Sequence, residues 1–313
     1  MDVERASRSC IYHRMMECQR CRLRFDRHDE LGNLSGEEFL VSTKLVRLFV
    51  LTVFLISLSG AGSLVDKSRI PDGLELVAES NEKGMPEYRH TKTGIVFVLL
   101  PGGSCLIGSP DDEKDRDEDE RQHPVTLDPF LIGKYEVSQR EWENVMGNNP
   151  SNLEKAPDLP VHRVSSKDCQ DFCEKTGLVL PTGAQWEYAC RGGTTGPISG
   201  TGKLDDMGWH RENSGGKVHR CGTKQPNGFG IYDMHGNLFE RCQDFYDIDF
   251  FNRPEAAGMN PECRLDTGLG ERRGGDLYHP YKYARSANRG GDAIDDPEHV
   301  AGGFRPAMLL RKN

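Results

Sequence analysis

Two tight turns within the segment 226–244 constrain the fold of this chain more than any other feature. The segment reads PNGFGIYDMHGNLFERCQD. Its Asn227-Gly228 and Gly236-Asn237 pairs both tolerate positive φ angles, which tight turns require. Phe229 and Ile231 place apolar side chains at the alternating spacing of a strand rather than at helical spacing. The segment therefore predicts a strand-and-turn unit.

Three oxygen-bearing side chains, those of Asp233, Asn237 and Glu240, surround the second turn. Calcium accepts roughly six to eight carboxylate and carbonyl oxygens, so this spacing suits a calcium ion. The same side chains can instead bond to nearby backbone groups in Asx turns without any ion. The spacing alone is compatible with both interpretations.

The segment also resembles the NGFGLYDMxGNVWEW motif of the formylglycine-generating enzyme family, also called sulfatase-modifying factors. Other blocks similar to that family follow in its order: FLIGKYEVS at 130–138, LPVHRVS at 159–165, LPTGAQWEYACRGG at 180–193, RGG at 273–275, RSANR at 285–289 and GFR at 303–305. The resemblance implies an α+β fold related to C-type lectins, loop-rich with little regular secondary structure. It assigns residues 89–310 to a sulfatase-modifying-factor-like domain.

The residues before that domain divide into three segments. Residues 1–40 form an unassigned tail, and residues 64–88 are predicted to be a polar linker. Between them, 41–63 combines basic Lys44 and Arg47 with an apolar run at 48–58 and small residues at 59–63, as in a signal peptide. Translation starting near Val41 would leave 1–40 unmade, whereas a retained segment would be a signal anchor. Both alternatives predict an exported domain (periplasm, cell surface or secreted), with membrane attachment only if the segment is kept.

Composition excludes one class of partner and leaves weak metal and disulfide signals. A net charge of −9 without a basic stripe argues against nucleic-acid binding. In the tail, Cys18 and Cys21 form a lone CxxC that resembles half of a zinc knuckle. Export would also make disulfides plausible among the cysteines from Cys105 to Cys263.

Local patterns predict several elements inside the domain. Helices are expected to begin at the N-caps Ser138, Ser165 and Thr182. The residues 93–108 are predicted to form a hairpin around Pro-Gly-Gly, and the charge run DDEKDRDEDER at 111–121 a solvated loop.

The resemblance implies two possible metal sites. Active members of the family hold copper with two thiols just after a Gly-Gly-Ser block, and paired thiolates suit Cu(I). The corresponding segment 274–286 contains no cysteine, so no catalytic residue is assigned and copper is not expected. A structural calcium ion is expected instead, with Asp233 and Glu240 as side-chain ligands and Gly236 and Leu238 as carbonyl ligands.

An aromatic-rich stretch in 274–286 predicts a substrate groove. Its residues are Tyr278, His279, Tyr281, Tyr283, Arg285 and Ser286. The aromatic rings offer a stacking face and His279 a general base, although the pattern favours a histidine in a surface loop without such a role. The predicted function is an exported, non-catalytic binding or scaffold module for a peptide, glycan or protein partner. The alternative is a copper-dependent formylglycine-generating oxidase that acts on a sulfatase cysteine.

Overall fold

The computed structural model of the chain describes residues 65–296 and 301–312. The predicted tail at 1–40, the signal segment at 41–63 and the CxxC lie outside these residues. Across the described part of the chain, every helix is too short or too polar to cross a lipid bilayer.

The central layer is a five-stranded antiparallel sheet. Its order is β1–β2–β3–β6–β12, with β1 at Leu74–Ala78, β2 at Glu87–His90, β3 at Val96–Leu100, β6 at Phe130–Gly133 and β12 at Ala307–Leu309. Strand β1 lies within the segment predicted as a linker, so that prediction was wrong for these residues. The linker prediction rested on polar composition. Composition does not show that this segment pairs with β2, and so it missed β1.

Two smaller sheets complete the β structure. One contains β4 (Gly103–Ile107), β5 (His123–Leu127) and β8 (Gly258–Met259), and the other has the order β10–β9–β7–β11, formed by β7 (Phe239–Phe245), β9 (Leu269–Arg273), β10 (Arg289–Ala293) and β11 (Gly302–Gly303). The predicted hairpin at 93–108 is wrong, because β3 and β4 belong to different sheets. At the turn between them, the backbone of Gly102 approaches the end of β5 so closely that an added Cβ would lie 2.3 Å from the carbonyl oxygen of Leu127. Directly after this turn, β4 pairs with β5.

Within residues 65–296 and 301–312, four short α-helices accompany the sheets: α1 (Gln139–Met146), α2 (Ser166–Thr176), α3 (Gly183–Arg191) and α4 (Leu204–Met207). The three predicted N-caps, Ser138, Ser165 and Thr182, each accept a hydrogen bond from the third helical residue in a complete capping box. Glycines in the left-handed conformation end these three helices, as is common at helix C-termini. Mixed sheets, few helices and long connections agree with the predicted α+β, loop-rich fold.

The apolar core lies on both faces of the five-stranded sheet. Along β3, Phe97 packs on one face with Phe172 of α2, and Val98 packs on the other with Trp186 of α3. This alternation follows from the period of two in a strand, which sends successive side chains to opposite faces. Helix α3 shares this second apolar cluster with Ile231, Met234 and Cys242 of the segment 226–244, whose residues build the site described below.

Candidate functional site

The predicted turn at Gly236-Asn237 forms, with Asn237 in the left-handed region at φ 66°, and Asp233 just before it is also left-handed at φ 60°. The Asp233 side chain is only 2% exposed. Its Oδ2 accepts a hydrogen bond from the backbone N–H of Gly222 at 2.7 Å, whereas its Oδ1 is buried without a hydrogen-bond partner. A buried carboxylate oxygen without a donor is costly, so this oxygen marks a place where a cation or proton would be stabilising.

The second predicted carboxylate ligand, Glu240, is already paired. Arg305 donates from Nε to Oε2 and from a terminal nitrogen to Oε1, both at 2.6 Å. The indole Nε1 of Trp186 also donates to Oε2 at 2.8 Å. All three side chains are fully buried. Glu240 therefore neutralises Arg305 and ties helix α3 to the chain's last strands.

Glu136, from the block FLIGKYEVS, lies beside Asp233. Its Oε1 accepts the backbone N–H of Leu238 at 3.1 Å, and its Oε2 accepts the side-chain amide of Asn237 at 2.7 Å. The Cys221 thiol also donates to Oε2, across 3.5 Å. Asn237 thus orients Glu136 through its nitrogen, while its own side-chain oxygen accepts the N–H of His219.

The three side chains of Glu136, Cys221 and Asp233 present their ligating atoms within 4.8 Å of one another. Within the described residues, it is the only group of three or more His, Cys, Asp or Glu side chains close enough to share a metal ion. Burial raises the pKa of Asp233 to about 6. Burial, followed by repulsion from Asp233 and Glu240, raises the pKa of Glu136 well above its usual value. Burial and the two carboxylates likewise raise the pKa of the Cys221 thiol.

The predicted calcium ligands fit this arrangement only in part. Asp233 has a vacant oxygen, but Glu240 would have to exchange Arg305 for the ion. The side chains that approach Asp233 are Glu136 and Cys221, which were not predicted as ligands. Sequence reasoning missed them because they lie 97 and 12 positions away along the chain. The clue was that Glu136 belongs to one of the matched blocks.

A cavity of about 200 Å³ opens beside this cluster. Glu136 and Cys221 contribute to its wall, together with Tyr135, Arg140 and Asp158. The cavity therefore gives solvent and small solutes a route to two of the three clustered side chains.

The predicted groove residues divide into a surface group and a buried group. Asp276 Oδ1 accepts from His279 Nδ1 at 2.6 Å and from the backbone N–H groups of Tyr278 and His279. The His279 ring lies edge-on to Tyr283, with ring centroids 4.7 Å apart. Tyr278 is 41% exposed, and Tyr281 and Tyr283 are half-buried. A buried carboxylate thus fixes the loop that carries the surface aromatics.

Arg285 and Ser286, by contrast, are fully buried. Arg285 pairs with Glu113 at 2.7 Å and with Glu120 at 2.6 Å. Although burial opposes the effect, hydrogen bonds and charge from Arg285 hold the pKa of Glu120 below its usual value. The charge run 111–121 was predicted to be a solvated loop, and for Asp119 and Glu120 that is wrong: both are buried against basic side chains distant in sequence.

A second buried cluster borders the groove segment from inside. Ser199 Oγ lies 2.7 Å from His235 Nε2, and His235 Nδ1 lies 2.7 Å from the carbonyl oxygen of Ala284, to which it donates. Cys190 Sγ is 3.6 Å from Nε2 and 3.6 Å from Ser286 Oγ. Burial lowers the pKa of His235 to about 4 and raises that of the Cys190 thiol to about 12. All four side chains are fully buried, so the cluster connects loops rather than meeting a substrate.

The cysteines of the described residues are Cys105, Cys169, Cys173, Cys190, Cys221, Cys242 and Cys263, and all are free thiols. The disulfides that export would favour are not formed among them. Five of the seven are buried, while Cys105 and Cys221 are half-buried.

Comparison with known proteins places the chain in a family. The model described as "Sulfatase-modifying factor enzyme 1-like domain" matches residues 82–309. "Chaperone protein LppX" of Paenibacillus barcinonensis is 30% identical, with 39% of this chain and 64% of that protein covered. The formylglycine-generating enzyme of Mus musculus is 32% identical, with 54% of this chain and 63% of that protein covered. The chain thus spans somewhat less than two thirds of these relatives.

Solved structures show the same fold. PvdO from Pseudomonas aeruginosa superposes with a TM-score of 0.61 at 29% identity, covering 72% of this chain and 98% of PvdO. Treponema denticola variable protein 1 gives a TM-score of 0.64 at 24% identity, covering 71% and 99%. The second likeness extends to the fold alone.

Proposed function

The chain belongs to the sulfatase-modifying factor family, and we propose that it is a non-catalytic binding module of that family rather than an oxidase. Family membership supplies the scaffold but not the activity, because function resides in the side chains of a site. The proposal therefore rests on what this chain carries in the segment where the family's active members hold copper.

The observation that carries the proposal is the replacement of thiols by an ordered aromatic loop in 274–286. The segment has no cysteine. In their place, Asp276 accepts three hydrogen bonds that fix Tyr278 and His279, and Tyr283 packs against the imidazole. Aromatic side chains bury large areas at small entropic cost, which favours binding of a peptide, glycan or partner protein.

The thiol next to this segment is a poor substitute for the missing pair. Cys190 contacts Ser286, but it is fully buried and its pKa is raised to about 12. One buried thiol does not replace two, because it is a pair of thiolates that suits Cu(I). The copper-dependent oxidase remains the alternative, and it would need ligands from such buried positions.

The names of the relatives agree with both functions. Formylglycine-generating enzymes represent the oxidase, whereas LppX is named as a chaperone. The chain-specific loss of thiols favours the second kind of role for this protein.

The proposal also includes the location of the protein. The basic, apolar and small-residue pattern of 41–63 supports export, either after cleavage or as an anchored protein.

We also propose that one bound cation stabilises the turn around Asp233, since Asp233 Oδ1 lies buried without a hydrogen-bond partner. Calcium with Asp233, Gly236, Leu238 and Glu240 stays a prediction of the resemblance, and it would require Glu240 to release Arg305.

Peptide and glycan arrays test the binding function. The protein is applied beside a variant carrying Tyr278→Ala and Tyr283→Ala, which removes the two rings without touching the buried bonds of Asp276. Leu106→Ala, which removes an exposed apolar side chain from β4, is the matched control. We expect array ligands whose binding falls at least about tenfold in the double variant and not in the control. Ligands that bind all three proteins equally would contradict this surface as the binding site.

A further inference from the structure

We propose that Glu136, Cys221 and Asp233 form a site for a thiophilic divalent cation, zinc above all, in place of the calcium that the family resemblance implies. The proposal names the ion of the stabilising site around Asp233. It does not depend on whether the aromatic loop binds a ligand or on the absence of catalysis.

The spacing of the donors suits tetrahedral zinc. Zinc–sulfur and zinc–oxygen bonds of about 2.3 and 2.0 Å at a tetrahedral angle separate the two ligand atoms by about 3.5 Å. Cys221 Sγ lies 3.5 Å from Glu136 Oε2. All three ligating atoms lie within 4.8 Å of one another, so Asp233 needs to approach the other two by about 1.5 Å at most to complete the set.

One residue of this cluster carries a buried oxygen without a donor. Asp233 is 2% exposed and its Oδ1 has no hydrogen-bond partner. Its other oxygen is held by the N–H of Gly222, the residue that follows Cys221. The chain therefore fixes Asp233 against the loop that carries the thiol.

The nature of the donors separates zinc from calcium. Calcium takes oxygen ligands and needs roughly six to eight of them, whereas a thiolate selects softer ions such as zinc. The carboxylate that would help to complete a calcium shell, Glu240, is held by both of its oxygens on Arg305. The side chains that can join Asp233 in holding a metal ion are Glu136 and Cys221, and Cys221 supplies a sulfur ligand.

Neighbouring groups hold the ligands in position. Asn237 donates to Glu136 Oε2 and the N–H of Leu238 donates to Oε1, which fixes the orientation of that carboxylate. Such outer contacts are a regular feature of zinc sites. They leave each oxygen a second lone pair for the ion.

The adjacent cavity provides access and a free coordination position. Glu136 and Cys221 line a cavity of about 200 Å³ that also borders Arg140 and Asp158. With three protein ligands, zinc keeps a fourth position for water or a small solute. When sulfur binds the ion, the thiol proton passes to solvent.

Metal titration of the full chain tests the proposal. Cys10, Cys18 and Cys21 are replaced by serine in every sample, so that the CxxC of the tail contributes no thiolate. The metal-free protein is titrated with cadmium as a spectroscopic probe for zinc, and with zinc and calcium by calorimetry. We expect one equivalent of cadmium to produce a thiolate-to-metal charge-transfer band, and zinc to bind far more tightly than calcium.

Two variants assign the band. Cys221→Ser should abolish it and weaken zinc binding by about 100-fold or more, whereas Cys105→Ser, which removes the other half-buried thiol, should change neither. Alkylation mapping by mass spectrometry provides a second measurement that needs no substitution at Cys221 or Cys105. Zinc should protect Cys221 from alkylation and leave Cys105 reactive. Tight calcium binding with an unprotected Cys221, or a cadmium band that persists in Cys221→Ser, would overturn the site. Neither result would bear on the aromatic loop or on catalysis.

Discussion

Arg305 and Glu240 form a buried, two-pronged ion pair in which each carboxylate oxygen receives a guanidinium nitrogen at 2.6 Å. Arg305 also donates to the carbonyl oxygens of Gly133 and Tyr232, so one side chain joins β6, the turn around Asp233 and β7. Both oxygens of Glu240 are therefore occupied by Arg305, and the pair holds these three parts of the chain together.

Replacing Arg305 by methionine should destabilise the protein by about 3–5 kcal/mol, because the buried Glu240 charge loses its partner. Arg264→Met is the matched control: Arg264 pairs with Glu262 at the surface with 81% of its side chain exposed, so its loss should leave the free energy of unfolding nearly unchanged. Urea unfolding of the two variants measures the difference. Equal losses would mean that the buried pair contributes no more than an exposed one.

Gly208→Ala should also destabilise the fold, by about 2 kcal/mol or more, through a direct backbone clash. An added Cβ would lie 1.8 Å from the carbonyl oxygen of His235, and a Cβ on Gly236 would lie 2.2 Å from that of Trp209. The two segments therefore approach each other too closely for any side chain. At Gly196, where the nearest atom to a Cβ is 3.8 Å away, alanine should change stability by less than about 1 kcal/mol. A melting temperature unchanged in Gly208→Ala would contradict this packing.

Asp244 should make stability depend on pH. Burial, followed by the charge of Glu271, raises its pKa to about 7 from its ordinary value of 3.8, although the backbone N–H groups of Gly183 and Cys263 donate to it. Between these two values the folded protein binds more protons at this residue than the unfolded chain. Its contribution to stability should therefore fall as pH rises from about 4 to 7, by up to about 1.4 kcal/mol per unit.

The difference between wild type and Asp244→Asn isolates this contribution. Free energies of unfolding at about pH 5, 6 and 7.5 should fall less steeply with rising pH in Asp244→Asn than in wild type. Asp266→Asn, at an exposed position where asparagine can keep the bond to the N–H of Gly268, controls for loss of a surface charge. If wild type and Asp244→Asn give parallel curves, Asp244 does not titrate in this window.

Local signals allowed much of the fold to be predicted. The helices at Ser138, Ser165 and Thr182 were predicted correctly, because a capping box lies within four consecutive residues. The turn at Gly236-Asn237 was equally local, since it depends on residues that tolerate positive φ. Such features need no partner from elsewhere in the chain.

Features that depend on distant partners were missed. The hairpin at 93–108 failed because β3 pairs with β6 and β4 with β5, which no local pattern specifies. Glu120 was expected in solvent because its partner Arg285 lies 165 positions away. In the candidate site, Asp233 was predicted from its turn, but Glu136 and Cys221 come together with it only through folding.

The most direct test of the central claim is an oxidation assay. The protein is incubated with Cu(I), oxygen and a peptide containing Cys-x-Pro-x-Arg, and the peptide is analysed by mass spectrometry. The formylglycine-generating enzyme of Thermomonospora curvata, 27% identical to this chain, serves as the positive control, and copper without protein as the blank. A non-catalytic binding module should leave the peptide cysteine unchanged while the control enzyme converts it. Formylglycine above the blank in the sample containing this protein would contradict the account.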